Sequence, residues 1–355
     1  MSPMPITPRI SNKIANMGIV CAILVVGLHC KVDFPDGSFV WYFYRLFVSS
    51  LGSLAVPFFF VVSGFLLAGH MHEDGWWLKA LKKRFWSLGV PYVAWCCIFL
   101  LFSYGIVVAA NLLAGADLGR NINPMGWRRL LRAFGVDVRS NPIDPPLWYV
   151  RALIGFVVLS PLLKRLANIP GVVFLTCVYA YACCRYVRVD GDNWLCRELL
   201  VSLDFVKGLL YFTAGLFIRL RLKMNLFSGW WRVLLYSFAV ILFGLYAFVM
   251  AGDFDGRVQM QALWLFIPFG GYVAFDVMPD RKWPRFLTSA AFPVYVLHYA
   301  VITVVWLVFK SLISRGIQLL AFTLYFMTVI GISFGIVWAV RRFFPKLAGL
   351  VLGGR

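Results

Sequence analysis

The sequence predicts an all-α polytopic integral membrane protein, a bundle of about ten transmembrane helices with both termini cytoplasmic, built as a single transmembrane domain over 1–355. Three observations predict it. The chain is 61% hydrophobic and 14% charged, whereas soluble domains run at roughly 45–50% apolar and about 25% charged. The apolar residues gather into runs close to the ~20 residues that cross a hydrocarbon core. Lys and Arg concentrate in alternate loops, as they do on the cytoplasmic side of membrane proteins. That bias accounts for the net charge of +19 without a nucleic-acid partner.

The spans follow in order. The first, 14–32, comes after a basic N-terminus (Arg9, Lys13) and ends around His29. No small-residue cleavage site follows it, so it reads as a span rather than a signal peptide. The second, 47–69, is preceded by the interfacial aromatics Trp41, Tyr42, Phe43 and Tyr44. It holds Pro57, expected to distort the helix, and Ser63-Gly64, a mark of close helix approach. The third, 88–110, follows Trp76-Trp77 and the cationic run Lys79, Lys82, Lys83, Arg84. In the next loop Trp127, Leu130, Leu131 and Phe134 fall at helical spacing with Arg128, Arg129 and Arg132 between them. They predict an interfacial helix near 124–135 that contacts lipid headgroups or lids an anionic substrate.

The fourth span, 147–167, ends at Lys164 and Arg165; the fifth, 170–187, is short and ends at Arg185. The sixth, 199–219, runs into Arg219, Arg221 and Lys223, and the seventh, 231–251, starts at the belt pair Trp230-Trp231. The eighth, ninth and tenth are 259–279, 286–309 and 318–340. Placing the more cationic loop set in the cytoplasm puts both termini there. No fixed-period repeat is visible. The cysteines are scattered without ligand spacing and read as small buried apolar residues. With four histidines in the chain, no metal site is expected.

Titratable side chains inside apolar spans are costly and tend to be functional. Six fall in the outer half under this orientation: His29, Arg45, Arg151, Asp204, Lys207 and His298. If the bundle brings them together, they form one polar pocket opening outward. Each also has a bland reading. Asp204 and Lys207, three residues apart on one helix face, can neutralise each other. Arg45 and Arg151 can snorkel to headgroups, and His298 can satisfy a neighbouring carbonyl. His29 has no charged residue in the preceding turns, and an imidazole is a side chain that can switch protonation near neutral pH.

The pattern resembles the acyltransferase-3 family of membrane-bound O-acyltransferases. Six pieces carry the resemblance in order: LVVGLH ending at His29, VPFFFVVSGFLL from Val56, KKRFWSLGVPYVAW from Lys82, PLWYVRALIGFVVLSPLL from Pro146, FTAGLFI from Phe212 and FPVYVLH ending at His298. The resemblance implies about ten helices in a bacterial inner membrane. It implies transfer of a short acyl group from acyl-CoA, with acetyl-CoA the expected donor, to a hydroxyl of a cell-envelope glycan or lipid-linked saccharide. The donor is a co-substrate, and no tightly bound cofactor is expected. The first-span histidine is essential in that family, and His29 is its match. Two positions depart from the pattern: Gly18, where many members carry Arg or Lys, and Ser87, where many carry Arg. Lys13, or Lys82 and Lys83, would have to substitute in space.

Acyl transfer to a hydroxyl needs a base and donors for the oxyanion. On that chemistry His29 is expected to be the base and Arg151 or Arg45 an oxyanion or acceptor contact. His298, with Tyr295 one turn earlier, would orient the acceptor or relay a proton. Asp204 and Lys207 would line the acceptor side. Lys82, Lys83 and Arg84 would hold the donor's phosphates, with its pantetheine arm passing Ser63. A transporter or flippase of a glycan or lipid-linked sugar is the alternative class, since an outward polar pocket serves it equally.

Overall fold

The computed structural model describes residues 6–30, 32, 34, 36–114, 131, 133–136, 142–167, 203–221, 229–252, 254, 256–313 and 318–352. Among the described residues every regular element is helical and no strand is present. The expected fifth span and most of the expected interfacial helix lie outside them; of that helix, Leu131 and Ala133 are helical.

Helix α1 is Pro8–His29, capped by the Thr7 hydroxyl, which accepts from Ile10 N, with Pro8 at the first position. Both choices suit a helix start. α2 (Phe39–Phe43) passes through a π-helical turn, Tyr44–Ser49, into α3 (Ser50–Ala68). α4 (Trp76–Arg84) passes through a second π turn, Phe85–Gly89, into α5 (Val90–Ala114). Then come α6 (Leu147–Ala167), α7 (Leu203–Leu220), α8 (Gly229–Ala251), α9 (Gly256–Asp276), the short α10 (Arg285–Thr288), α11 (Ala291–Ile313), α12 (Gln318–Phe343) and α13 (Pro345–Val351).

Seven rods among the described residues are long and apolar enough to cross a membrane: Pro8–His29, Phe39–Ala68, Trp76–Gly105, Leu147–Ala167, Gly229–Ala251, Val258–Asp276 and Gln318–Phe343. They match the first four, the seventh, the eighth and the tenth expected spans. The sixth and ninth correspond to the shorter apolar helices Gly208–Leu220 and Ala291–Leu307.

α3 continues through Pro57 without a break in helix, and a π turn precedes it at Tyr44–Ser49. Hydroxyls within the helices bond their own backbone: Ser53 to Ser49 O at 2.7 Å, Thr303 to Tyr299 O at 2.8 Å and Ser333 to Val329 O at 2.7 Å. Such back-bonding satisfies a polar group where no water is at hand.

α1 sits at the heart of the bundle, packed against α3, α11 and α12 through a main core that includes Met17, Cys21, Ala22, Val25 and Val26. The tightest crossing joins α3 to α7. A Cβ at Gly64 would strike the Phe212 carbonyl, and one at Gly215 would strike the Val61 carbonyl, so each helix approaches the other through a glycine. This is the small-residue contact that Ser63-Gly64 predicts. α8 and α9 pair around a second core of Tyr246, Val249, Met250 and Phe266.

The start of α1 is bolted to the 276–283 segment. Asn16, fully buried, donates to Pro279 O (3.0 Å) and Arg281 O (2.9 Å) and accepts from Trp283 N (3.3 Å). Lys13 donates to Asp276 O and pairs with Asp280 at 3.4 Å. These bonds fix the height of α1, and with it the position of His29 at the opposite end.

Candidate functional site

His29 is the last residue of α1, where the helix leaves its final carbonyls open. Tyr44, at the start of the first π turn, donates to Leu28 O at 3.0 Å and so closes this end. The His29 ring faces the bundle: its centroid lies 5.3 Å from that of His298 and 6.0 Å from that of Tyr299. Two imidazoles far apart in sequence are thus brought together by the α1–α11 packing.

His298 is 0% exposed. Its Nδ1 meets Tyr295 O, one turn back on α11. A carbonyl oxygen only accepts, so Nδ1 carries the proton. Nε2 is then left as a bare lone pair, and it has no hydrogen-bond partner. Buried polar atoms in native structures rarely go unpaired, and the exceptions call for an explanation.

Tyr295 continues the row. Its hydroxyl donates to Pro146 O at 2.8 Å, and its ring centroid lies 6.0 Å from His298 and 5.7 Å from Tyr149. The Tyr149 hydroxyl in turn shares a 3.3 Å hydrogen bond with Ser63. Ser63, Tyr149, Tyr295, His298 and His29 therefore form one contiguous lining contributed by α3, α6, α11 and α1. Gly64 lets α7 press directly behind it.

The other expected site residues stand elsewhere or are only partly described. Arg151 lies on the second turn of α6 and donates from Nη1 to Gly135 O at 2.9 Å. Gly135 takes a positive φ of 62° there, and a Cβ would run into that guanidinium. Arg45 is exposed and lies over the Trp41 ring at 5.0 Å, while its carbonyl accepts from Tyr246. The described contacts of Arg45 therefore tie it to the α2 and α8 side. Asp204 and Lys207 fall on the first turns of α7, and their side chains lie outside the described residues.

At the far end of the bundle, Lys82 and Lys83 are exposed at the end of α4, and Arg84 is half-buried beside them. Lys164 is committed to Met71 O and the Trp76 ring, and Arg219 to Phe65 O. Gly18 packs toward Ala291, and the Ser87 hydroxyl is buried without a hydrogen-bond partner. Lys13, held by Asp276 and Asp280, is structurally engaged. Among the described residues no group of His, Cys, Asp and Glu is arranged to hold a metal.

Sequence reasoning missed Asp144. It is 0% exposed, and neither carboxyl oxygen has a hydrogen-bond partner. It is close enough to Tyr295 and Cys96 to act on both electrostatically. Burial pushes its carboxyl up to about 8. The signal was in the sequence: Asp144 is followed by Pro145 and Pro146. An aspartate at a helix start normally accepts from the N–H groups two or three residues on. Here the next two residues have no N–H, and Leu147 N donates to the Asp144 carbonyl at 3.0 Å instead. The side chain is thereby denied the usual cap.

Comparison with known proteins adds an independent finding. The family model described as "Acyltransferase domain", acyltransferase-3, matches residues 16–341. The Succinoglycan biosynthesis protein ExoH of Rhizobium meliloti (strain 1021) is 24% identical over 323 residues, covering 88% of this chain and 82% of that protein. A protein named Amino-acid racemase from Enterococcus faecalis is 24% identical over 341 residues, 88% of this chain and 44% of its own, so this chain spans under half of it. No solved structure matches.

Proposed function

Because the chain belongs to the acyltransferase-3 family and is an acyltransferase, we propose that it moves a short acyl group from acyl-CoA to a hydroxyl of a cell-envelope glycan or lipid-linked saccharide. Acetyl-CoA is the expected donor. Family membership sets aside the transporter or flippase alternative. The protein is a multi-pass membrane protein. In this reading it spans a bacterial inner membrane ten times with both termini cytoplasmic, so Lys82, Lys83 and Arg84 meet the donor's phosphates and His29 lies near the outer face.

The observation that carries the reading is the pairing of His29 with His298 at 5.3 Å, inside a chain of this family. The acceptor hydroxyl lies between the two rings. His29 takes its proton as the oxygen attacks the thioester carbonyl. The tetrahedral oxyanion collapses, the C–S bond breaks, and the proton passes to the leaving thiolate. A positioned base of this kind contributes roughly 10²–10⁴-fold. His298, its Nδ1 proton fixed by the Tyr295 carbonyl, offers Nε2 to orient the hydroxyl. The lining from Ser63 through Tyr149 and Tyr295 supports a route for the pantetheine arm between the donor end and the histidines. Glycan acceptance is supported by the relative named for succinoglycan biosynthesis.

The test is acylation of envelope glycans by a His29→Ala variant that inserts and folds normally. Activity is expected to fall at least ~10²-fold. Retained activity removes His29 from the base role.

A further inference from the structure

Two buried polar groups in the described structure lack hydrogen-bond partners and neighbour one side chain, Tyr295. His298 Nε2 and the Asp144 carboxyl both neighbour Tyr295, the first through a ring contact of 6.0 Å and the second through its field. Tyr295 satisfies neither, because its hydroxyl is spent on Pro146 O. The backbone satisfies neither. Pro145 and Pro146 have no N–H, Leu147 N serves the Asp144 carbonyl and Ile143 N serves Ala133 O. Aromatic rings line the row between them, with Phe59 and Tyr149 against Tyr295 and Tyr299 against His298. A lone pair and a carboxyl near such a row of aromatic faces suit a neutral molecule with several hydroxyls and an apolar ring face.

We propose that the acceptor is held at two points, its reacting hydroxyl at His298 Nε2 beside His29 and a second, non-reacting hydroxyl at the Asp144 carboxyl. The site therefore selects a saccharide ring over an acceptor with a single hydroxyl. Asp144 is a binding residue. This rests on the acyl-transfer reading for the first point, while the second is a statement about saccharide binding alone. A site built to hydrogen-bond a hydroxyl discriminates because its polar group is left unpaired when that hydroxyl is missing.

The geometry gives the proposal a signature that a structural role lacks. A buried carboxyl with no partner destabilises the fold, and an apolar replacement of similar shape relieves it. Asp144→Leu should therefore fold at least as stably as the parent while binding saccharide more weakly. Asp144→Asn, which still hydrogen-bonds, should retain most of the affinity.

The experiment uses the full chain in detergent, with de-acylated succinoglycan oligosaccharides as acceptor probe and acetyl-CoA as donor. Oligosaccharide binding is read by thermal stabilisation, acceptor KM by transfer, and donor-only thioester hydrolysis by thiol release. The expected result is about a tenfold loss of oligosaccharide affinity in Asp144→Leu, the size of one buried hydrogen bond, with thermal stability undiminished and Asn largely rescuing. Unchanged oligosaccharide binding in a folded Asp144→Leu variant, or no oligosaccharide binding by the parent, overturns the proposal. If the parent binds oligosaccharide but never acylates it, the acyl-acceptor reading fails and the Asp144 subsite is still judged by the binding arm. If acylation proceeds with the same acceptor KM in Asp144→Leu, the subsite fails and the enzyme reading stands.

Discussion

The Asp144 carboxyl makes a signed prediction about stability and pH. In an unfolded chain an aspartate titrates near ~3.9; in the fold, burial pushes Asp144 up to about 8. Between those values the folded protein holds a proton that the unfolded chain has released. The stability tied to that proton is fully present below about pH 4 and is lost as pH rises through 8. At about 1.4 kcal/mol per pH unit, the gap caps the loss near ~6 kcal/mol. Relaxation of the turn around Asp144 and entry of water on ionisation reduce this to a working range of ~2–4 kcal/mol. The assay is thermal unfolding of the full chain in detergent from pH 4.5 to 8.5, for the parent and for Asp144→Asn (~half-unit steps resolve the rise). All other groups titrate alike in the two proteins, so their difference isolates this carboxyl. The Asn variant should gain on the parent steadily with pH. Parallel curves, or a parent that outlasts Asp144→Asn at the alkaline end, would refute the reasoning.

Other consequences are equally direct. Gly215→Ala places a Cβ against the Val61 carbonyl; it should cost ~1–3 kcal/mol by overpacking, read as a lower apparent unfolding temperature, and reduce acyl transfer by displacing Ser63. Asn16→Ala removes three hydrogen bonds to the 279–283 segment, at about 1 kcal/mol net each, and proteolysis of that segment should accelerate with the loss. Exchanging both Lys82 and Lys83 for Ala should raise the KM for acyl-CoA roughly tenfold at low salt, and the effect should shrink as ionic strength rises.

The histidine pair was legible in the sequence because an imidazole in an apolar span stands out, and span order alone puts His29 and His298 near the same depth. Hydropathy fixes depth and says little about rotation about a helix axis. That is why the sequence could not tell which of the six would meet: the structure pairs His29 with His298, while Arg151 reaches Gly135 and Arg45 lies over Trp41. Asn16 escaped because the search was for charge, while its uncharged amide holds three backbone groups. Asp144 escaped because the chain around it reads as loop; only the two prolines behind it reveal that its usual cap is denied.

The π turn at Tyr44–Ser49 carries one residue more than a regular helix of the same rise would need. Shortening that stretch by a single residue would let the rod relax into ordinary α-helix, at the cost of swinging everything before it through roughly 100°. Tyr44 would then swing away from the Leu28 carbonyl it now seals. A one-codon deletion there would therefore unseat the end of α1 from which His29 projects.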